Sequence, residues 1–255
     1  LITQNIAIGE SSKMEGATPP HPIRETSSHL HGQSQSQRLN IFWRFQLSHL
    51  AKLPFVNDLL SLFVSIELQS LALYILVSFS KEDFNSSEAG VKYFVIGSLS
   101  TCIFLFGSSL IYGLVGSTNF SEISQFMSDQ YSVPLLLVVG LIFILVSLSL
   151  KISAAPFHMW TPDVYQGSPS LVTAFLSTAP KVAVFGVLIR VLVYPFGEII
   201  VDWGKILVIL SIFSMLIGSL GALRQDDLKR LMAYSTINHI GFILMGLVPG
   251  SEDGI

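Results

Sequence analysis

The sequence predicts an all-α membrane protein with about six transmembrane helices. Of its 255 residues, 51% are hydrophobic and only 12% are charged, whereas a soluble domain carries about 25% charged residues. The mean hydropathy is +0.63, and the apolar residues form long continuous runs instead of the alternating pattern of a β-barrel strand. Both observations indicate a chain that lies mostly within a bilayer.

Residues 1–53 differ in composition from the rest of the chain. The stretch 11–37 is rich in Ser, Gln, Pro and His, so it cannot bury a core and is predicted to be a polar tail or loop. His29 and His31 have no further ligand at a suitable spacing, and we interpret them as solvated side chains. The segment 41–50 alternates aromatic with basic residues and predicts a short interfacial helix.

Residues 54–255 are predicted to form the transmembrane domain. Its apolar runs each approach the ~20 residues that a helix needs to cross a bilayer. They lie at about 55–79, 91–115, 133–152, 170–194, 204–223 and 228–248. The third run continues, broken at Pro156, towards Tyr165, because proline removes an intrahelical hydrogen bond and clashes with the preceding turn.

Loop charges predict the orientation of these helices. Basic residues follow the first and fifth helices, at Lys81, Lys92, Arg224, Lys229 and Arg230. The opposite side carries Lys205 in its short loops, with Arg190 near a helix end. The positive-inside rule therefore places the first group in the cytoplasm or the mitochondrial matrix.

Several function classes are excluded by composition. The net charge is −3, and no basic patch indicates nucleic-acid binding. Cys102 is the only cysteine, so this chain cannot ligate an iron–sulfur cluster or form a cysteine zinc site. We interpret it as a small buried apolar side chain. No cofactor and no metal ion are expected in this chain, and any redox chemistry of its assembly is expected to lie elsewhere.

The informative residues are ionisable groups inside the apolar runs, namely Glu67, Lys151, Lys181 and His239. A charge at a helix centre costs roughly 2.5–3.5 kcal/mol on insertion scales, so such residues usually mark an ion or proton pathway. The structural alternative is a lysine that reaches an interface, which suits Lys151 better than the central Lys181. For His239 the alternative is a hydrogen-bonded core histidine.

These residue types suit a proton relay. A lysine in a low-dielectric site holds its proton less firmly than one in water, and a neighbouring carboxylate opposes that effect. Such a pair can act as an electrostatic gate, and several groups joined by water make a relay. Pro156 and Pro180 lie close to the two lysines, and a helix broken at membrane depth is tolerated where it faces protein or a water-filled cavity.

Several stretches of the sequence resemble a known family. They are KISAAPFHMWTPDVYQGSP at 151–169, VTAFLSTAPK at 172–181, GALRQDDLKRLMAYSTINHIG at 221–241, and NDLL with IELQ between 57 and 69. Over about residues 54–250, the sequence is similar to the chain 2 family of NADH–ubiquinone oxidoreductase. That family supplies an antiporter-like subunit of the membrane arm of respiratory complex I.

The resemblance implies a role for each matching position. Glu67 and Lys151 would form the gating pair, Lys181 would be the next relay lysine, and His239 would lie on the hydrophilic axis beyond it. His158 occupies the His-x-Trp position, where it would hold the helix break or line a water path. The implied fold is the first half of an antiporter-like inverted repeat. The implied function is proton translocation coupled to quinone reduction elsewhere, as a subunit of NADH:ubiquinone reductase.

The resemblance also implies partners and a location. The expected partners are other membrane-arm subunits and lipid. The family's second, inverted half has no counterpart in this sequence, so we expect a second chain to complete the domain. The expected location is the mitochondrial inner membrane, with the bacterial plasma membrane as the alternative.

Two other functions fit the same residues. A cation/proton antiporter subunit would share Glu67, Lys151 and Lys181, and copurification with flavin and iron–sulfur signals would distinguish complex I from it. A non-pumping scaffold fragment of the membrane arm would bridge neighbouring subunits. Neutralising Lys181 and measuring proton pumping separates a scaffold from a pump.

Overall fold

The protein is described by a computed structural model that covers residues 44, 48, 50–80, 83–129 and 133–250. Apart from position 44, these residues belong to one compact unit, residues 45–255. The predicted polar stretch 11–37, with its two histidines, lies outside the described residues. The predicted interfacial helix is described only at its residues 44, 48 and 50, each of which is helical.

The described residues are entirely helical, as predicted, and contain no strand. Their α-helices are α1 (Leu59–Val77), α2 (Phe84–Val115), α3 (Phe120–Ser128), α4 (Leu135–Ile152), α5 (Trp160–Gly167), α6 (Ser170–Ser177), α7 (Ala179–Val193), α8 (Ile200–Ala222) and α9 (Leu228–Leu247). Two 3₁₀ turns, Leu53–Phe55 and Gly197–Ile199, precede α1 and α8.

Five segments among the described residues are long and apolar enough to cross a membrane. They are Leu59–Val77, Phe84–Val115, Leu135–Ile152, Ser170–Val193 and Gly197–Ala222, and they correspond to the first five predicted runs. The sixth run forms α9, which has 20 residues. It carries Asn238 and His239 in its interior and is too polar to count as a span by the same measure.

The start of α2, the helix α5 and the start of α9 meet on one side of the domain. Asp163 of α5 lies 3.0 Å from Lys92 Nζ and 3.1 Å from a guanidinium nitrogen of Arg230. The loop-charge analysis places these two basic residues on the same side of the membrane, and the structure agrees. We refer to it as the inward side.

The opposite ends of the helices are joined by backbone hydrogen bonds. The Leu59 N–H donates to the Thr118 carbonyl, and the Phe120 N–H donates to the Asn57 carbonyl, both at 2.9 Å. Arg190 of α7 donates to the Val56 carbonyl at 3.2 Å. These contacts fix the outward ends of α1 and α7 relative to the turn before α3.

Helices α8 and α9 pack at the closest distance that their backbones allow. A Cβ atom on Gly218 would lie 2.5 Å from the Asn238 backbone nitrogen. Two turns earlier on α8, the Ser211 hydroxyl donates to the Gly241 carbonyl at 2.7 Å. On the same face of α8, the Ser214 hydroxyl accepts the Ala155 N–H at 2.8 Å. The Gly218 contact therefore fixes the position of α8, the helix that binds the segment after α4 through Ser214.

We predict that Gly218→Ala destabilises the domain, because the added methyl group overlaps the α9 backbone. Overpacking of this kind costs typically 1–3 kcal/mol, measurable as a lower thermal midpoint in detergent. Gly113→Ala is the matched control, since nothing lies within 4 Å of a Cβ at that position of α2. Equal midpoints for the two variants would contradict the close α8–α9 approach.

Candidate functional site

Lys151 lies in the last turn of α4, where the helix closes on itself. The Ser153 N–H donates to the Leu150 carbonyl at 3.3 Å, and the Ala154 N–H donates to the Ser149 carbonyl at 3.0 Å. Ser153 has a φ of 68°, so this is a Schellman closure with serine at the left-handed position that glycine usually occupies. The helix stops for this reason three residues before Pro156.

The segment that follows α4 is held by protein groups and not by a continuing helix. The Ala155 N–H reaches Ser214 of α8, and the Trp160 indole N–H donates to the Leu150 carbonyl at 3.0 Å. The Ala155–Pro156 peptide bond is cis. The break predicted at Pro156 is therefore present, but it begins at Ser153. The left-handed serine had no recognisable signal in the sequence.

Glu67 and Lys151 lie on facing helices without a direct ion pair. The Thr101 hydroxyl donates to Glu67 Oε2 at 2.7 Å. One turn further along α1, the Ser70 hydroxyl accepts a hydrogen bond from Lys151 Nζ at 3.1 Å and donates to the Ile66 carbonyl at 2.8 Å. The two charged groups are therefore near neighbours that are each bound to a hydroxyl.

A cavity of about 30 Å³ adjoins Lys151 and Ser70. That space holds about two water molecules. Ser70, Tyr74 and Lys151 line it on one side, and Pro180 and Val184 of α7 line it on another. The cavity thus leads from Lys151 to the first turn of α7.

Lys181 lies in that first turn, directly after the second interruption of the helices. The fourth predicted run is divided at Thr178, and α7 begins at Ala179 with Pro180 in its first turn. The Lys181 side chain is only 6% exposed, and its Nζ makes no hydrogen bond. Its Nζ lies over the ring of Tyr165, whose centroid is 5.5 Å away. The lysine is buried in the interior, the position that a relay group requires.

The two lysines occupy opposite ends of helix dipoles. Lys151 is in the last turn of α4, where partial negative charge favours an ammonium group. Lys181 is in the first turn of α7, where partial positive charge disfavours one. The backbone thus presents partial charges of opposite sign to the two ammonium groups.

The two predicted histidines differ in their surroundings. His158 is half-buried in the segment after α4, and its Nδ1 has no hydrogen-bond partner. Its ring is 6.4 Å from that of Tyr234. His239 is exposed on α9, so its predicted place on an internal axis is not found within this chain. Thr236, one turn before His239, lies near the buried Tyr165 hydroxyl without a hydrogen bond of ordinary geometry.

Cys102 also differs from its interpretation as a buried side chain. It is exposed on the surface of α2. Within the described ranges, no group of three His, Cys, Asp or Glu side chains is arranged to hold a metal ion.

Sequence reasoning missed a polar cavity on the inward side. It has a volume of about 240 Å³ and is lined by Asn85, Glu88, Ala89, Lys92, Asp163, Gln166, Gly167 and Arg230. Lys92 also pairs with Glu88 at 2.9 Å. Asp163, the Asp of the Trp-Thr-Pro-Asp motif, forms an ion pair with a basic residue from each of two other helices. We refer to these paired charges as the inward charge network. The only sequence signal for Asp163 was its place in that motif.

The carboxylate at the start of α9 belongs to the same network. Asp227 caps α9 by accepting the Lys229 and Arg230 N–H groups at 2.8 and 3.2 Å, and it also accepts from the Gln166 amide at 3.2 Å. The Arg230 N–H, followed by the other donors, holds the pKa of Asp227 below its ordinary value. Asp227 therefore stays ionised and anchors α9 to α5.

Comparison with known proteins agrees with this arrangement. Residues 56–255 match the transmembrane family described as NADH:quinone oxidoreductase/Mrp antiporter. NADH-quinone oxidoreductase subunit N 1 of Acidiphilium cryptum is 48% identical over 211 residues, which are 83% of this chain and 44% of that protein. Subunit N of Pelagibacter ubique is 52% identical over 200 residues, 78% of this chain and 42% of that protein.

Solved structures show the same fold. A chain of respiratory complex I from Thermus thermophilus is 36% identical with a TM-score of 0.68, over 80% of this chain and 43% of that one. A chain of the Mrp complex from Dietzia sp. has a TM-score of 0.71 at 24% identity, over 78% of this chain and 37% of that one. The chain thus spans less than half the length of these relatives. On the match over residues 56–255, the chain belongs to the NADH:quinone oxidoreductase/Mrp antiporter transmembrane family.

Proposed function

We propose that this chain is an antiporter-like, proton-translocating subunit of respiratory complex I. Its counterparts are the bacterial subunit N proteins and the chain 2 family that the sequence resembles. Protons pass along Glu67, Lys151 and Lys181, and quinone reduction takes place in other subunits. The chain contributes to an NADH:quinone oxidoreductase without a redox centre or cofactor of its own.

The observation that carries the proposal is the burial of Lys181 without a hydrogen-bond partner. An ammonium group in such a site is costly unless it can lose its proton. Pro180, the residue before Lys181, lines the small cavity that Lys151 also lines. Together these features suit a group that changes protonation state and poorly suit a structural lysine.

A cation/proton antiporter subunit is the second candidate. The family description includes the Mrp antiporter, and the same Glu–Lys–Lys set would serve it. Complex I is preferred because the subunit N relatives are about half identical to this chain over the matched residues. Copurification of the chain with flavin and iron–sulfur signals supports complex I, and their absence supports the antiporter.

The location follows from the relatives. Those compared are bacterial proteins, which favours the bacterial plasma membrane over the mitochondrial inner membrane expected first. A multi-pass position in an energy-conserving membrane is common to both.

We propose further that helices from a second chain cover the outer faces of α8 and α9 and supply a lysine or glutamate at membrane depth. Large apolar side chains on these faces are exposed, namely Ile209, Ile212, Phe213, Leu216, Leu220, Phe242 and Ile243. His239 is exposed beside them. A histidine at membrane depth against lipid alone is unfavourable, so a polar partner is required. A scaffold fragment would need no such partner.

We predict that Glu67→Gln lowers proton pumping and the coupled quinone reduction while the complex still assembles. The amide can still accept from Thr101 but no longer supplies the charge that holds the proton on Lys151. The proton-to-electron ratio of the purified complex in liposomes measures this effect. An unchanged ratio would reject the gate assignment.

Lys151→Arg tests the same pair from the other side. Arginine keeps the charge but stays protonated in essentially any protein environment. We expect the Lys151→Arg variant to lose proton pumping, although its guanidinium group can still bind the Ser70 hydroxyl. Pumping at the wild-type ratio would show that proton release from this position is not needed.

We predict that Lys181→Met lowers pumping by at least about a hundredfold, the lower end of the range assigned to a positioned acid–base group, and raises stability. Removing a buried amine without a partner should add about 1–3 kcal/mol, seen as a higher thermal midpoint. The control Lys205→Met removes an exposed lysine whose Nζ is 3.6 Å from Asp202 and should change neither quantity. Loss of pumping together with loss of stability would instead indicate a structural role.

We predict that a photoreactive amino acid placed at Ile212 forms a crosslink to another membrane polypeptide of the complex. Ile212 is 44% exposed on α8. The control position is Leu135, which is 77% exposed at the outward end of α4 and away from the proposed partner. Adducts to lipid alone at Ile212 would favour the scaffold function.

A further inference from the structure

Helices α2 and α5 are joined at two successive levels. At the inward level, Lys92 Nζ lies 3.0 Å from Asp163. At the next level, the rings of Tyr93 and Trp160 are stacked, with centroids 4.8 Å apart and planes inclined by 16°. Lys92 and Tyr93 are adjacent on α2, and Trp160 is one turn before Asp163 on α5.

These two levels face different cavities. Lys92 and Asp163 line the inward polar cavity of about 240 Å³. Tyr93 and Trp160 line the inner cavity that holds Lys151. The ring stack therefore occupies the short distance between a cavity rich in charge and the one that contains the relay lysine.

The inner face of the stack carries a buried hydroxyl without a partner. Tyr74 is 7% exposed, its ring meets that of Tyr93 edge-on at 4.8 Å, and its hydroxyl makes no hydrogen bond of ordinary geometry. It lies close to Ser70 on the same face of α1, and both residues line the inner cavity. A buried hydroxyl in this position needs a water molecule, which places a hydrogen-bonding group between the stack and the Ser70–Lys151 hydrogen bond.

The ring faces of the stack offer no route for a proton while they are in contact. The Trp160 indole N–H is occupied by the Leu150 carbonyl, and aromatic faces cannot form the hydrogen bonds that a water chain requires. Separation of the two rings by the width of one water molecule would join the two cavities.

We propose that the Tyr93–Trp160 stack is the inward gate of the relay. Water and protons reach Lys151 from the Asp163 cavity only when this stack opens, and Tyr74 binds the first water behind it. The ion pairs of Asp163 with Lys92 and Arg230 hold the gate closed. The proposal rests on the relay function proposed above and adds the route and the residues that control inward access.

Cysteine labelling tests the gate without any measurement of pumping. Ile96 lines the inner cavity and is not one of the relay groups. In a Cys102→Ser background, an Ile96→Cys chain within the complex is exposed to a charged methanethiosulfonate reagent on the inward side of inside-out vesicles. Labelling of this chain is followed by mass spectrometry of its peptides.

We expect Tyr93→Ala to raise the labelling rate at position 96 at least tenfold, because it removes one ring of the stack. Tyr93→Phe keeps the ring and should label at the background rate. Trp160→Leu opens the stack from α5 and should resemble Tyr93→Ala, so the test does not depend on one variant folding. Phe106→Ala is the matched control, since it removes an exposed ring of α2 that contacts Phe143 and lines neither cavity.

Equal labelling rates for Tyr93→Ala, Trp160→Leu and the unmodified stack would overturn the gate, as would fast labelling in Tyr93→Phe. In liposomes, Tyr93→Ala should also raise the passive proton leak of the complex severalfold, whereas Glu67→Gln should not. Rapid labelling combined with pumping that is indifferent to Glu67 and Lys181 would retain the gate and reject the relay function. The two ideas therefore fail by different measurements.

Discussion

The fold depends on one constraint, which is that backbone polar groups in an apolar layer must find partners within the protein. The chain interrupts its helical hydrogen bonding twice inside apolar runs, after α4 and between α6 and α7. At the first interruption, the freed groups are satisfied by a Schellman closure, the Ser214 hydroxyl and the Trp160 indole. Each interruption has a lysine beside it. The two lysines thus lie where the backbone stops, whereas Glu67 lies within the uninterrupted helix α1.

Opposite helix ends give the two lysines different electrostatic surroundings. Lys151 combines a favourable dipole, a hydroxyl acceptor and a nearby carboxylate, so its ammonium form is supported from three directions. Lys181 instead lies at the positive end of a helix dipole, and its Nζ faces the ring of Tyr165. Because Glu67 is bound to Thr101 and makes no direct pair with Lys151, a small movement of either helix changes their attraction. In the relay that we propose, a proton passes most easily when that attraction weakens.

Much of the arrangement could be predicted from the sequence. The features that could not be predicted depend on tertiary contacts. Hydropathy located the spans because burial in lipid leaves a composition signal some twenty residues long. Charges within those spans identified Glu67, Lys151 and Lys181 as unusual. The left-handed Ser153 could not be predicted, because its conformation follows from tertiary contacts and not from side-chain preference. The exposure of His239 was also unpredictable, since periodicity cannot say which face of α9 lacks a neighbour.

The Asp163 ion pairs and Lys151 are linked through the short helix α5. Helix α5 has eight residues, with Asp163 on one turn and Trp160 on the turn before it. A helix this short moves as a unit, so a displacement that shifts the Asp163 ion pairs also shifts the indole that is bonded to the Leu150 carbonyl. Leu150 is the residue before Lys151. A displacement of α5 therefore reaches the closed end of α4 beside that lysine. In the gate that we propose, charge movement at the inward surface changes the access of water to Lys151 by this path.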